Sequence, residues 1–172
     1  MTHSNGWRDP RALYPIVNDT PSQSWCGPSV LCAITNQPMS VIRRLVKDRR
    51  ESRGSKQPLM GMTDGEVVAI LRMFGFRVHE QRNYCRSEAP TLAKWLRGRE
   101  HRSATYILTT SYRGWHRGHF VVVRGNKFAD SHQLEPCNLS KAPHRRKRVK
   151  QVIRVYQTTK RRITAPPIHF KL

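Results

Sequence analysis

Residues 119–130 read HFVVVRGNKFAD, and few architectures accept that run. Apolar residues on either side of Arg-Gly-Asn predict two antiparallel strands joined by a tight turn. Two registers are open. If Arg124 and Gly125 form the turn, Val123 faces Asn126 and His119 faces Asp130. If Gly125 and Asn126 form it, His119 faces His132 instead. The first register puts an imidazole and a carboxylate on one face, with Cβ atoms roughly 4.5–5.5 Å apart. That carboxylate belongs to the only aspartate after Asp64.

The rest of the chain fits around this hairpin. Residues 1–25 read as an irregular arm. Pro28 sits where a helix can start, because its missing N–H is not needed there. Val30, Leu31, Ala33 and Ile34 follow, and Asn36 with Pro38 ends the run. Ile42, Leu45 and Val46 make the apolar stripe of a helix from about 40 to 50. Residues 51–62 read as a loop. Thr63-Asp-Gly-Glu66 has the form of a capping box and opens a third helix, stopped by Gly75. A strand is expected over 76–81, and a helix near 90–97 with Leu92, Trp95 and Leu96 turned inward. Further strands are expected at 104–110 and 149–156. Helices precede antiparallel strands, so the fold class is α+β, with the helices segregated from the sheet. One domain over 1–157 is expected, followed by a basic, Pro-containing tail at 158–172.

Composition narrows the function classes. The chain has 172 residues, enough for one packed core. No run reaches the roughly 18 apolar residues of a membrane span, and residues 1–9 lack an apolar signal core. A cytoplasmic location is therefore expected. The four cysteines, Cys26, Cys32, Cys85 and Cys137, form no CxxC pair and are expected as reduced thiols. Lys and Arg number 32 against 11 acids, a net charge of +21. Sixteen of these bases and two of the acids, Asp130 and Glu135, fall within 101–172. Such a field attracts nucleic acid or an acidic protein partner. The run Arg145, Arg146, Lys147 and Arg148, with Lys150, is its densest part, though basic runs are commonly solvated surface.

Cys26 lies at the start of the first expected helix. Backbone N–H groups and the helix dipole at that end favour a thiolate, and Gly27 leaves the sulfur uncrowded. Most free cysteines are small buried hydrophobes, and most lone histidines at strand ends are solvated. The pairing of His119 with Asp130 argues against the second of these readings here. A carboxylate beside an imidazole fixes its tautomer and supports its charged form, the third-member role in a triad.

This order of Cys, then His, then Asp resembles the papain-like cysteine peptidases. It is most similar to their bacteriocin-leader (double-glycine) peptidase branch and to phage-encoded relatives of that branch. The matching stretches are Trp25-Cys26-Gly27-Pro28, Gly118-His119-Phe-Val-Val-Val and Phe128-Ala-Asp130. The resemblance implies a nucleophile-bearing helix packed on an antiparallel sheet, and thiolate attack on an acyl carbon of a protein or peptide. Cys26 would be the nucleophile, His119 the base and Asp130 its orienting partner. Acyl transfer to an amine uses the same three groups. The resemblance also implies work inside a bacterial host cell or in a virion. The family places an oxyanion-binding glutamine about six residues before the cysteine, where this chain has Thr20. Gln23 is the nearest glutamine and Asn18 the other amide candidate. No cofactor is implied. His116, His119, His132 and Cys137 match no common zinc spacing, so no metal site is expected.

Overall fold

The computed structural model describes residues 12–21, 23, 25–55, 61–111 and 113–157. The start of the arm, residues 56–60 of the expected loop and the tail at 158–172 lie outside the described residues.

Helix α1 runs Cys26–Thr35 and stops at Asn36, whose left-handed φ of 55° turns its N–H back to the Cys32 carbonyl. Helix α2, Met39–Glu51, buries Met39, Ile42 and Val46. Helix α3, Asp64–Met73, has the expected capping box. Thr63 Oγ1 accepts from the Glu66 N–H, and the Glu66 carboxylate accepts from the Thr63 N–H. The same carboxylate takes two hydrogen bonds from Arg50, at 2.6 and 3.1 Å, so one side chain caps α3 and ties it to α2. Helix α4, Leu92–Gly98, is capped by Thr91.

The strands are β1 (Phe76–Asn83), β2 (Thr105–Ser111), β3 (Gly118–Arg124), β4 (Lys127–Asp130), β5 (Gln133–Asn138) and β6 (Val149–Gln157). They form one antiparallel sheet in the order β1-β6-β2-β3-β4-β5. The fold is therefore α+β, as expected. Strand β5 and the short 3-10 turn Leu139–Lys141 that follows it have no counterpart in the sequence reading. The Gln133–Asn138 segment, QLEPCN, contains a proline and does not alternate apolar with polar residues, so it gives little strand signal.

The expected segregation of helices from sheet needs correction, because both faces of the sheet are covered. Residues of α1–α3 pack with Ile107, Phe120, Val122, Ile153 and Val155 on one face. Leu92 and Leu96 of α4 pack with Tyr106, Leu108, Val121 and Val123 on the other. This explains why β3 reads Phe-Val-Val-Val without alternation: a central strand buried on both sides has no wet face. Among the described residues no helix is long and apolar enough to cross a membrane. The described residues of the arm carry neither helix nor strand, yet buried Ile16 anchors them, with its N–H on the Leu134 carbonyl at 2.6 Å.

Candidate active site

Cys26 is the first residue of α1. Trp25 caps the helix without a side-chain bond, so the first-turn N–H groups are open to other acceptors. Gly27 is buried, and a Cβ there would come within 2.8–2.9 Å of the Met62 side chain. The segment before α3 thus lies against the nucleophile end of α1, and only glycine admits it.

Helix α1 packs against β3 and β4, which brings His119 to Cys26. The two side chains share a hydrogen bond. On the far side of the ring, His119 Nε2 donates to Asp130 Oδ2 at 3.1 Å, and both groups are buried. With Nε2 engaged there, Nδ1 is the nitrogen left for sulfur. Asp130 Oδ1 accepts the His132 N–H at 2.9 Å, which fixes the carboxylate.

The register behind this contact is the second of the two considered. Val123 pairs with Phe128 and Arg124 with Lys127, so the turn is Gly125-Asn126, with Gly125 at φ 53°. Direct opposition of His119 to Asp130 is therefore corrected. The observed register carries His132 opposite His119 and leaves Asp130 on the diagonal. Diagonal neighbours lie about 7–8 Å apart at Cα, within reach of an imidazole and a carboxylate. Pairing between β3 and β4 ends at Val122–Ala129, which leaves both side chains free to turn toward each other. The His132 ring stacks on His119, with centroids 5.2 Å apart.

The electrostatics favour a charged pair. Burial alone would push the Cys26 thiol up. The hydrogen bond and charge of His119, with backbone hydrogen bonds at Phe120 and Gly27, hold it below the ordinary thiol value instead. Burial would lower His119, but its bonds to Asp130 and Cys26 raise it from 6.5 to about 9. Burial would raise Asp130, and its bonds to His119 and the His132 N–H hold it below the usual carboxylate value. An imidazolium between a thiolate and a carboxylate satisfies all three shifts.

The other expected residues divide. Gln23 is exposed. Asn18 is tied into a local turn, its Oδ1 accepting from the Thr20 N–H and hydroxyl. The basic run is partly structural. Arg145 donates to the Leu139 and Ser140 carbonyls and Arg148 to the Ala89 carbonyl. Lys150 sits 5.5 Å from the Trp115 ring centroid. Arg146 is exposed and Lys147 half-buried. All four cysteines are free thiols, as expected.

One residue at the site has no precedent in the sequence reading. His144, on the turn before β6, packs edge-on against both His119 and His132, with centroids 5.5 and 5.6 Å away. Burial holds it below its ordinary value, against the pull of Asp130. Each of the three rings offers one nitrogen, and these nitrogens all lie within 4.8 Å of one another. A turn residue carries no periodic signal, so only the folded chain reveals it. His116 and Cys137 are not part of this cluster.

No protein-family model matches the chain, and a search of curated proteins finds no match. The site therefore speaks through its own geometry.

Proposed function

We propose that the protein is a cysteine peptidase or isopeptidase of the papain-like kind. The observation that carries this reading is the unbroken hydrogen-bonded series Cys26–His119–Asp130 at the N-terminus of a helix. The Cys26 thiolate attacks the carbonyl carbon of a peptide or isopeptide bond. The His119 imidazolium gives its Nδ1 proton to the departing amine, leaving an acyl thioester on Cys26. Neutral His119 then takes a proton from water, hydroxide adds to the thioester carbon, and the thiolate leaves. Asp130 keeps the ring oriented and supports its charge throughout. The Cys26 N–H and the Gln23 amide are the proposed oxyanion donors, each worth about 10²–10³ in rate.

A thiol-directed probe tests this. Cys26 should be alkylated near neutral pH ahead of Cys32, Cys85 and Cys137, and Cys26→Ala should end turnover of an acyl substrate. An unreactive Cys26, together with an unaffected Cys26→Ala protein, sinks the reading.

A second reading keeps the scaffold but assigns it to binding of nucleic acid or an acidic protein. It is favoured by the +21 charge and the exposed Arg145, Arg146 and Arg148. Affinity for DNA or RNA should then fall steeply with rising salt. Absence of binding at low salt removes it.

A further inference from the structure

Three imidazoles cluster at this site, and two of them lie within 4 Å of one carboxylate oxygen. The rings of His119, His132 and His144 form a nearly equilateral triangle, with centroids 5.2, 5.5 and 5.6 Å apart. Asp130 Oδ2 lies 3.1 Å from His119 Nε2 and 3.8 Å from His144 Nε2. His144 Nε2 is itself buried and has no hydrogen-bond partner among the described residues. A buried ring nitrogen without a partner is rare, and this one faces the Asp130 carboxylate within the cluster of three histidines.

We propose that His119, His132 and His144, with Asp130 as a fourth donor, bind a divalent transition-metal ion such as Zn²⁺. Three imidazoles and one carboxylate suit zinc, cobalt, nickel or copper and not magnesium or calcium, which want an all-oxygen shell. The three nitrogens lie within 4.8 Å of one another, whereas zinc bonds of about 2.0–2.1 Å need donors roughly 3.3 Å apart in a tetrahedron. The rings must draw in by an ångström or so. His132 is exposed and His144 stands on a turn, so both have the freedom to do so. The expectation of no metal rested on spacings through His116 and Cys137. The fold replaces them with His144, which approaches from the strand-β6 side of the sequence.

The ion would displace the proton that His119 Nε2 donates to Asp130. A neutral imidazole with metal on Nε2 keeps its single proton on Nδ1, so it cannot accept one from Cys26. Metal binding would therefore switch the thiol chemistry off. This consequence rests on the peptidase reading, whereas the binding site does not.

Titration of the metal-free full-length chain with Co²⁺ separates the two. Visible absorption of a tetrahedral nitrogen–oxygen site should saturate at one Co²⁺ per chain, without a thiolate-to-cobalt band, and Zn²⁺ should displace it. His144→Ala should weaken binding by more than the ~10–100-fold that loss of an outer-shell partner costs. His132→Ala, changed at an exposed position, should do likewise, and thermal unfolding checks that both variants are folded. Zn²⁺ should slow alkylation of Cys26 in the parent and far less in His144→Ala. Absence of saturable Co²⁺ binding overturns the proposal. So does parental affinity in both variants, or a thiolate band that vanishes in Cys26→Ala. Saturable binding, with Cys26 inert even in the metal-free protein, upholds the metal site and removes the peptidase reading.

Discussion

Helix α1 carries two thiols of opposite character. Cys32, in the interior, is fully buried, and burial, reinforced by the Asp19 charge, pushes it up to about 12. Cys26, at the start, also feels burial as its largest influence, yet it falls below the ordinary thiol value. The same chemical group on the same helix differs because Cys32 has only its own backbone N–H against burial, whereas Cys26 has several donors. His119 and the backbone at Phe120 and Gly27 supply them. The thiol's charge state here is a property of the helix end and of what the sheet brings to it.

The largest way to break that difference is His119→Ala. Turnover of an acyl substrate should fall on the order of 10⁴-fold or more. The Cys26 thiol should also rise toward the behaviour of Cys32, read as the pH dependence of its alkylation. In the parent, labelling of Cys26 should already be fast at neutral pH, and the charged pair should persist until His119 deprotonates at about 9. The raised imidazole also stabilises the fold. That contribution is complete below its unfolded value of 6.5 and is lost as pH rises through about 9. Asp130, held low, contributes above its unfolded value of 3.8 and loses that contribution as pH falls. Unfolding midpoints of parent and His119→Ala should therefore converge in alkali. Parallel profiles would mean that the imidazole is not charged in the folded protein.

Leu31→Ala should act on the other thiol. Leu31 is fully buried beside Cys32, and removing its side chain costs about 2–5 kcal/mol. Cys32 is reached by reagent only when the fold opens, so its labelling should rise by roughly 30- to several-thousand-fold. Cys26 is already accessible, so its rate should barely change. Equal acceleration of both would show that α1 opens as a whole even for Cys26.

The difference between the two thiols was half legible in the sequence. Pro28 and the apolar run after it announce a helix, and a helix start is a local feature that biases Cys26 toward thiolate. The partnership with His119 and Asp130 was also visible, but through the wrong register. The turn at Gly125-Asn126 depends on which residues take positive φ, and Arg-Gly-Asn permits two answers. The pair survived the change because a diagonal neighbour is still within reach. His132 entered the site through that same change of register. His144 was illegible, since its position follows from the docking of a turn and not from any spacing. Strand β5 and the packing of α4 on the far face were hidden for a related reason. An edge strand with one proline and a short helix leave weak patterns, and both are fixed by contacts distant in sequence.

A smaller test sharpens the comparison at the reactive end. Gly27→Ala places a Cβ 2.8–2.9 Å from Met62 Cβ, Cγ and Sδ. Overpacking of this kind costs about 1–3 kcal/mol. Because the crowding adjoins Cys26, its alkylation rate should change together with stability, unlike in Leu31→Ala. Met62→Ala should restore both in the double variant. Failure of that rescue would place the strain in the helix backbone and not in the contact.

Thr63→Ala is the mildest case. It removes the hydroxyl that caps α3 and should cost about 1 kcal/mol. Glu66 stays held by Arg50 at 2.6 Å, so the link between α2 and α3 remains. Labelling of Cys32 should then rise about fivefold, the factor that 1 kcal/mol implies, with Cys26 unmoved. Thr63 follows Met62 directly, so the outcome at Cys26 is informative in itself. A slower Cys26 in Thr63→Ala would mean that the α3 cap also holds Met62 against Gly27. The start of one helix would then depend on the start of another, and the reactive thiol would owe its setting to both.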